Sequence, residues 1–154
     1  MRLTTLTDFS LRLLIQLALR PRGRVTIVEV AEAYRISENH LMKVAHQLGQ
    51  AGFVRTSRGR GGGLELARPA TEITAGEVVR RMEPDLALVP CFAGAECAIL
   101  PACRLKHALQ AARDAFLAVL DRTTLAELAE PATELRALLG VAAESGADAA
   151  RPVS

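Results

Sequence analysis

Residues 37–67 read SENHLMKVAHQLGQAGFVRTSRGRGGGLELA, and the change of period inside this stretch decides the fold. Up to Gln50 the apolar positions are Leu41, Val44, Ala45 and Leu48, three and four apart, which predicts a helix with one buried face. Ser37 opens that helix, and Gly52 lies where a C-cap glycine belongs. From Phe53 onward the period is that of extended chain. Residues 53–58 and 64–67 read as two strands, and Gly59-Arg60-Gly61-Gly62-Gly63 between them reads as a flexible hairpin tip.

Upstream, Leu6, Phe9, Leu13, Leu14, Leu17 and Ala18 predict a helix over 6–19, stopped by Pro21 and Gly23. Thr26 is an N-cap for a short helix over 27–33, with Val30 and Ala31 inward, and the turn YRI leads to Ser37. Helix, helix, turn, helix and two-stranded hairpin is the order of a winged helix-turn-helix domain. Pro69 and Thr74 mark the exit from the hairpin into a further helix over about 75–82.

Downstream, Pro90, Gly94 and Pro101 predict a loop. A long helix over 103–121 follows, with Leu105, Leu109, Ala112, Phe116 and Leu120 three or four apart. That stripe needs a partner, either a two-fold mate or the chain's own first helix. Beyond Pro131 an apolar stretch runs to Val141, and the end, AAESGADAARPVS, reads as frayed. The expected protein is mainly α with a small β-hairpin wing. It divides into a winged helix-turn-helix DNA-binding domain over 1–82, a cysteine loop over 83–103, a dimerisation helix region over 104–130 and a partly disordered C-terminal tail over 131–154.

Composition bounds the function. At 154 residues, half of them hydrophobic, the chain has the apolar material of one folded domain, which excludes a largely disordered protein. Aromatics are only 3% with no Trp, too few for a β-sandwich or a stacking platform for single strands. No apolar run reaches the ~18–20 residues of a membrane span. Asp8, Arg12 and Gln16 interrupt the first apolar stretch and no cleavage site follows, so a cytoplasmic protein without a membrane partner is expected. No catalytic constellation is present, and an enzyme is not expected. The net charge of +2 is split: residues 1–68 carry 11 Lys/Arg against 5 Asp/Glu, whereas the remainder carries 8 against 12. A basic front and an acidic back point to a polyanion at the front alone, chance clustering being the bland reading.

Double-stranded DNA fits that front. Early residues of the second helix of a helix-turn-helix face major-groove base edges. Here these are Ser37, Asn39 and His40, with Asn a natural bidentate partner of adenine. Lys43 and His46 lie farther along and suit phosphate or base contact. In the wing, Arg55, Arg58 and Arg60 cluster at the glycine-rich turn, where an arginine enters a narrow minor groove. A phosphate-cradling P-loop is excluded, because no Lys-Ser/Thr and no helix follow Gly63. A solvated polar face is the competing reading of these residues.

Three cysteines, Cys91, Cys97 and Cys103, fall in one 13-residue window. An odd count argues against a disulfide framework. Zinc knuckles place pairs two to four apart, whereas these stand six apart on a loop. Three thiolates on one loop suit three corners of an iron–sulfur cluster, leaving one iron for a different ligand. Zinc completed by His107 or a carboxylate, buried thiols and a thiol redox switch are the alternatives.

With LTTLTDFSLRLLIQLA at the start, ISENHLMKVAHQLGQAGFV, the wing RGRGGGLELARP and the three evenly spaced cysteines, residues 1 to about 130 resemble the IscR/NsrR-type family of iron–sulfur winged-helix repressors. SENHLMKV and TDFSLR resemble its nitric-oxide-responsive branch more than its cluster-assembly branch. In the latter a histidine three residues past the last cysteine completes a two-iron cluster; that position here is Lys106, and His107 is one step too far. The resemblance implies a homodimeric repressor of nitrosative-stress genes that binds a double-stranded palindromic operator, with nitric oxide as signal. It implies one [4Fe–4S] cluster per subunit, with [2Fe–2S] the alternative, held by Cys91, Cys97 and Cys103 and by Asp8 of the partner subunit. A helix cap is the other role open to Asp8. The rival functions are a redox-responsive regulator of cluster assembly and a cysteine-rich metal-trafficking protein that binds no DNA.

Overall fold

Hydroxyl caps fix where the helices begin. In this computed structural model, which describes residues 2–141, Thr4, Thr26, Ser37, Thr74 and Thr124 each accept a hydrogen bond from the backbone N–H three residues on. These caps open α1 (Thr5–Ala18), α2 (Ile27–Tyr34), α3 (Glu38–Gln50), α4 (Ala75–Met82) and α6 (Leu125–Leu128). At Thr26 and Thr124 the caps are complete boxes, with Glu29 and Glu127 reaching back to the cap amide. α5 (Arg104–Asp121) is capped by a cysteine, and α7 (Ala132–Leu139) follows Pro131. α2 ends on Arg35 in the left-handed region at φ 53°, which turns the chain toward α3. The frayed end expected after residue 141 lies outside the described residues.

β1 (Val54–Ser57) and β2 (Gly63–Leu66) pair antiparallel, from Val54 opposite Leu66 to Ser57 opposite Gly63. Val25, ahead of α2, continues the ladder: its N–H donates to the Leu64 carbonyl at 3.0 Å, and the Leu64 N–H returns the bond at 2.8 Å. The wing is thus stitched to the segment between α1 and α2.

The core joins α1 (Leu13, Leu14, Leu17), α2 (Val30), α3 (Leu41, Val44, Leu48), the hairpin (Phe53, Val54, Leu64) and the following segment (Ile73, Val78, Met82, Leu125). This is the mainly helical, winged arrangement expected, with α3 anchored by the predicted apolar face. α4 then packs on the C-terminal end of α5. Gly76 lies against Asp121, whose carboxylate pairs with Arg80, and backbone bonds join Ala75 N–H to Thr123 O at 2.8 Å and Leu125 N–H to Ile73 O at 2.9 Å.

Three details differ from expectation. The cysteine stretch holds two short 3-10 turns, Pro90–Ala93 and Leu100–Ala102, because proline's fixed φ suits the opening of such turns, Pro90 standing first in one and Pro101 second in the other. The stretch after Pro131 forms α7, and its Arg136 donates to the Leu19 carbonyl at the end of α1. Along α5 the fully buried residue is Leu117, outside the stripe that the spacing predicts; of that stripe Leu109, Phe116 and Leu120 are half-buried, and Leu105 and Ala112 are exposed. Among the apolar residues left exposed on α5, Leu105, Ala108, Ala112, Ala115 and Val119 stand three and four apart, with Ala111 and Ala118 beside them.

Candidate nucleic-acid interface and cysteine loop

Ser37, Asn39, His40 and Lys43 are all exposed: Ser37 is the N-cap of α3, Asn39 and Lys43 lie opposite its core residues, and His40 flanks them. Ser37 has a structural duty as well, accepting the His40 N–H at 3.3 Å and lying 3.0 Å from His40 Nδ1. The His40 ring packs 6.3 Å from the ring of Phe9 on α1. His46 and Gln47 share the exposed side, and so does Met42, 52% exposed. Met42 and Gln47 carry no charge, and nothing in their spacing singles them out in the sequence.

In the wing the three arginines separate. Arg55 lies 3.7 Å from Glu65, whereas Arg58 and Arg60 make no ion pair among the described residues. The tip needs its glycines. Gly61 has φ 73°, and a Cβ on Gly62 would stand 2.5 Å from the Ser57 carbonyl oxygen. Arg24 was invisible in the sequence, where nothing linked it to the wing. Its Nη1 donates to the Gly61 carbonyl at 3.0 Å and its Nε lies 3.5 Å from Glu65.

A half-buried ion pair, Arg20 with Glu29, braces α2. Burial works to raise the Glu29 carboxyl, but the Thr26 backbone N–H, the Arg20 guanidinium and the Thr26 hydroxyl outweigh it and hold the group below its ordinary value. The Arg20–Glu29 contact is 2.7 Å.

The cysteines lie on the segment joining α4 to α5. Cys91 is half-buried in the first 3-10 turn, Cys97 is exposed, and Cys103 is half-buried, its Sγ accepting the Lys106 N–H at 3.4 Å as the N-cap of α5. All three are free thiols. Asp8 does not cap α1, since Thr4 does. Its carboxylate instead receives Arg12 at 3.0 Å on each oxygen. His107 is exposed on α5. Among the described residues, no three His, Cys, Asp or Glu side chains of the one chain gather as a metal site. The donor chemistry fits an iron–sulfur group in kind, with three soft thiols on one segment and a fourth ligand still to be supplied from elsewhere.

A family model described as "Rrf2: Iron-dependent Transcriptional regulator" matches residues 3–131. The chain belongs to the Rrf2 family. It is 48% identical over 142 residues to the HTH-type transcriptional regulator NsrR of Geobacillus kaustophilus, covering 90% of this chain and 97% of the relative. It is 49% identical to the regulator of the same name from Bacillus subtilis, with the same coverage of both chains. Among solved structures it is similar to CymR, the global cysteine regulator of B. subtilis, with TM-score 0.72, 29% identity, and 85% of this chain and 98% of that one covered. It is similar also to T. potens IscR, with TM-score 0.70, 26% identity, and coverage of 87% and 90%. As an Rrf2 protein it is a DNA-binding transcriptional regulator and not an enzyme, which removes the metal-trafficking alternative. No helix among the described residues is long and apolar enough to cross a membrane.

Proposed function

We propose that this Rrf2 protein is a cytoplasmic homodimer that represses nitrosative-stress genes and is released from a palindromic operator by nitric oxide. The observation that carries the reading is the set of three free thiols on the segment between α4 and α5, the last of them at the first turn of the long helix. The 48–49% identity to regulators named NsrR supports it.

Cys91, Cys97 and Cys103 would hold one [4Fe–4S] cluster per subunit, with Asp8 of the partner subunit as fourth ligand; [2Fe–2S] is the alternative. When bound, such a cluster supplies iron that reacts with nitric oxide, most readily where its ligand is a hard carboxylate. The protein's own residues do the rest. Leu105, Ala108, Ala112, Ala115 and Val119 give α5 an apolar seam for a second copy. Asn39, His40 and Lys43, with Ser37 holding the first turn, face the major groove, and Arg55, Arg58 and Arg60 the backbone and minor groove. The seam sets the separation of the two heads, and a palindrome demands half-sites about one helical turn, ~34–36 Å, apart.

The test is anaerobic purification with iron, sulfide and visible absorption, followed by ultracentrifugation and operator titration of holo, apo and nitric-oxide-treated protein. The expected result is a dimer in every state and tight binding by the holo form alone. Monomeric apo protein would move the switch from geometry to assembly, and equal operator affinity in all three states would end the sensor reading. A regulator of cluster assembly would bind a cluster but show no release specific to nitric oxide.

A further inference from the structure

We propose that Arg24, outside both DNA-reading elements, is the positioning residue that aims the wing. The inference rests on the proposed entry of Arg60 into a minor groove. Its ground is a bracket. Nη1 donates to the Gly61 carbonyl at 3.0 Å, inside the tip, while Nε lies 3.5 Å from Glu65 at the base of β2. Glu65 is shared, since its other oxygen lies 3.7 Å from Arg55. One guanidinium therefore spans the wing from base to tip, which its planar fork of donors permits and an ammonium does not.

The root of the bracket is fixed as well. Val25, next in the chain, is hydrogen-bonded both ways to Leu64. A Cβ at Gly63 would stand 3.0 Å from the Val25 carbonyl oxygen and 3.2 Å from Arg24 Cβ, so the strand passes this segment with no room for a side chain. The tip itself has little stiffness of its own. Gly59, Gly61 and Gly63 all sit at positive φ, and glycine loses more freedom on ordering than any other residue. A wing left to itself must be ordered at the moment of DNA binding, which weakens binding and blurs the discrimination made at its tip. Arg24 orders it beforehand. Arg58 and Arg60 make no ion pair among the described residues and remain available to DNA.

The experiment uses full-length, anaerobically prepared protein and a duplex enriched by the wild type from a randomised palindromic pool. Binding is measured at several salt concentrations. The A·T pairs under the wing are replaced in turn by G·C, which adds an amino group to the minor groove, and by inosine·C, which does not. Arg60→Ala, Arg24→Ala, Arg24→Lys and Glu65→Gln are compared with wild type. Arg24→Ala is expected to bind about three- to tenfold more weakly with an unchanged salt slope and to lose the penalty for G·C, because it removes order rather than a phosphate contact. Arg24→Lys should behave like Arg24→Ala, and Glu65→Gln should lose a smaller share of the same preference. The idea is overturned if Arg24→Ala binds like wild type while Arg60→Ala does not. It is overturned equally if the salt slope of Arg24→Ala falls by about one and Arg24→Lys restores affinity, which is the signature of a direct phosphate contact. Full affinity and full G·C penalty in Arg60→Ala would instead remove the minor-groove reading, and the role of Arg24 with it.

Discussion

Two glycines inside helices should respond to the same substitution with opposite signs. Gly49 lies in α3 with nothing within 4 Å of a Cβ placed on it, so Gly49→Ala adds helix propensity without a clash. The gain is about 0.5–1 kcal/mol. Gly76 lies in α4, where a Cβ would stand 2.8 Å from the backbone nitrogen of Asp121 and 3.0 Å from its Cα. These atoms cannot swing aside like the end of a side chain. They belong to the last turn of α5, which Arg80 grips through the Asp121 carboxylate. Overpacking of this kind costs about 1–3 kcal/mol, against a propensity gain of about 0.5–1, so Gly76→Ala should be destabilised by about 1–2 kcal/mol. For a chain of this length each kcal/mol moves the melting midpoint by about 3–4 °C, so Gly49→Ala should melt about 2–4 °C higher and Gly76→Ala about 3–8 °C lower than wild type. Thermal and urea unfolding at one fixed protein concentration measure both, since a dimer's midpoint depends on concentration. A Gly76→Ala protein as stable as wild type would refute the close approach of α4 to α5, and a destabilised Gly49→Ala would refute the open surface of α3.

Replacing Cys91, Cys97 or Cys103 by Ala should each abolish stable iron and sulfide binding in anaerobic preparations, whereas Asp8→Ala should weaken it less, because water or an added thiol can take one carboxylate's place. Asn39→Ala should relax base choice at one operator position at a cost of about 1–3 kcal/mol, and Arg60→Ala should lose affinity together with preference for an A·T-rich flank, both read in competition titrations. Glu29 is held below its ordinary value of 4.5, so its contribution is present above that pH and fades as pH falls through the lower folded value. The stability gap between wild type and Glu29→Ala, about 1 kcal/mol near neutrality, should therefore close under acid in urea titrations followed by circular dichroism.

The helices were legible because each signal was local. Thr26 and Ser37 cap their helices as their residue types favour, and Leu41, Val44, Ala45 and Leu48 bury the face their spacing requires. The hairpin was legible because the period changes at Phe53 and glycine fills the tip. What escaped depended on contacts distant in sequence. The side that α5 turns inward is set by α4, and no spacing within α5 shows that Leu117 is the buried residue. α6 is four residues long, too short to display a period. The alternative cap role for Asp8 failed because Thr4, four residues earlier, already fills it. Arg24 acts across 37 residues to reach Gly61, and only the folded ladder between Val25 and Leu64 brings the two together.

The cysteine that opens α5 makes mutagenesis there ambiguous in a way that can be turned to use. Cys103 Sγ belongs at once to the loop's set of sulfur donors and to the backbone ladder of the helix, through Lys106 N–H. Alanine at 103 deletes both roles, whereas serine keeps an N-cap, and a good one, while giving up the soft donor. Cys97, exposed and without a side-chain hydrogen bond among the described residues, has only one role to lose. An alanine–serine pair at 103 thus separates damage to the helix from damage to ligation, and the same pair at 97 calibrates it: whatever difference appears at the first site and not at the second belongs to the start of α5.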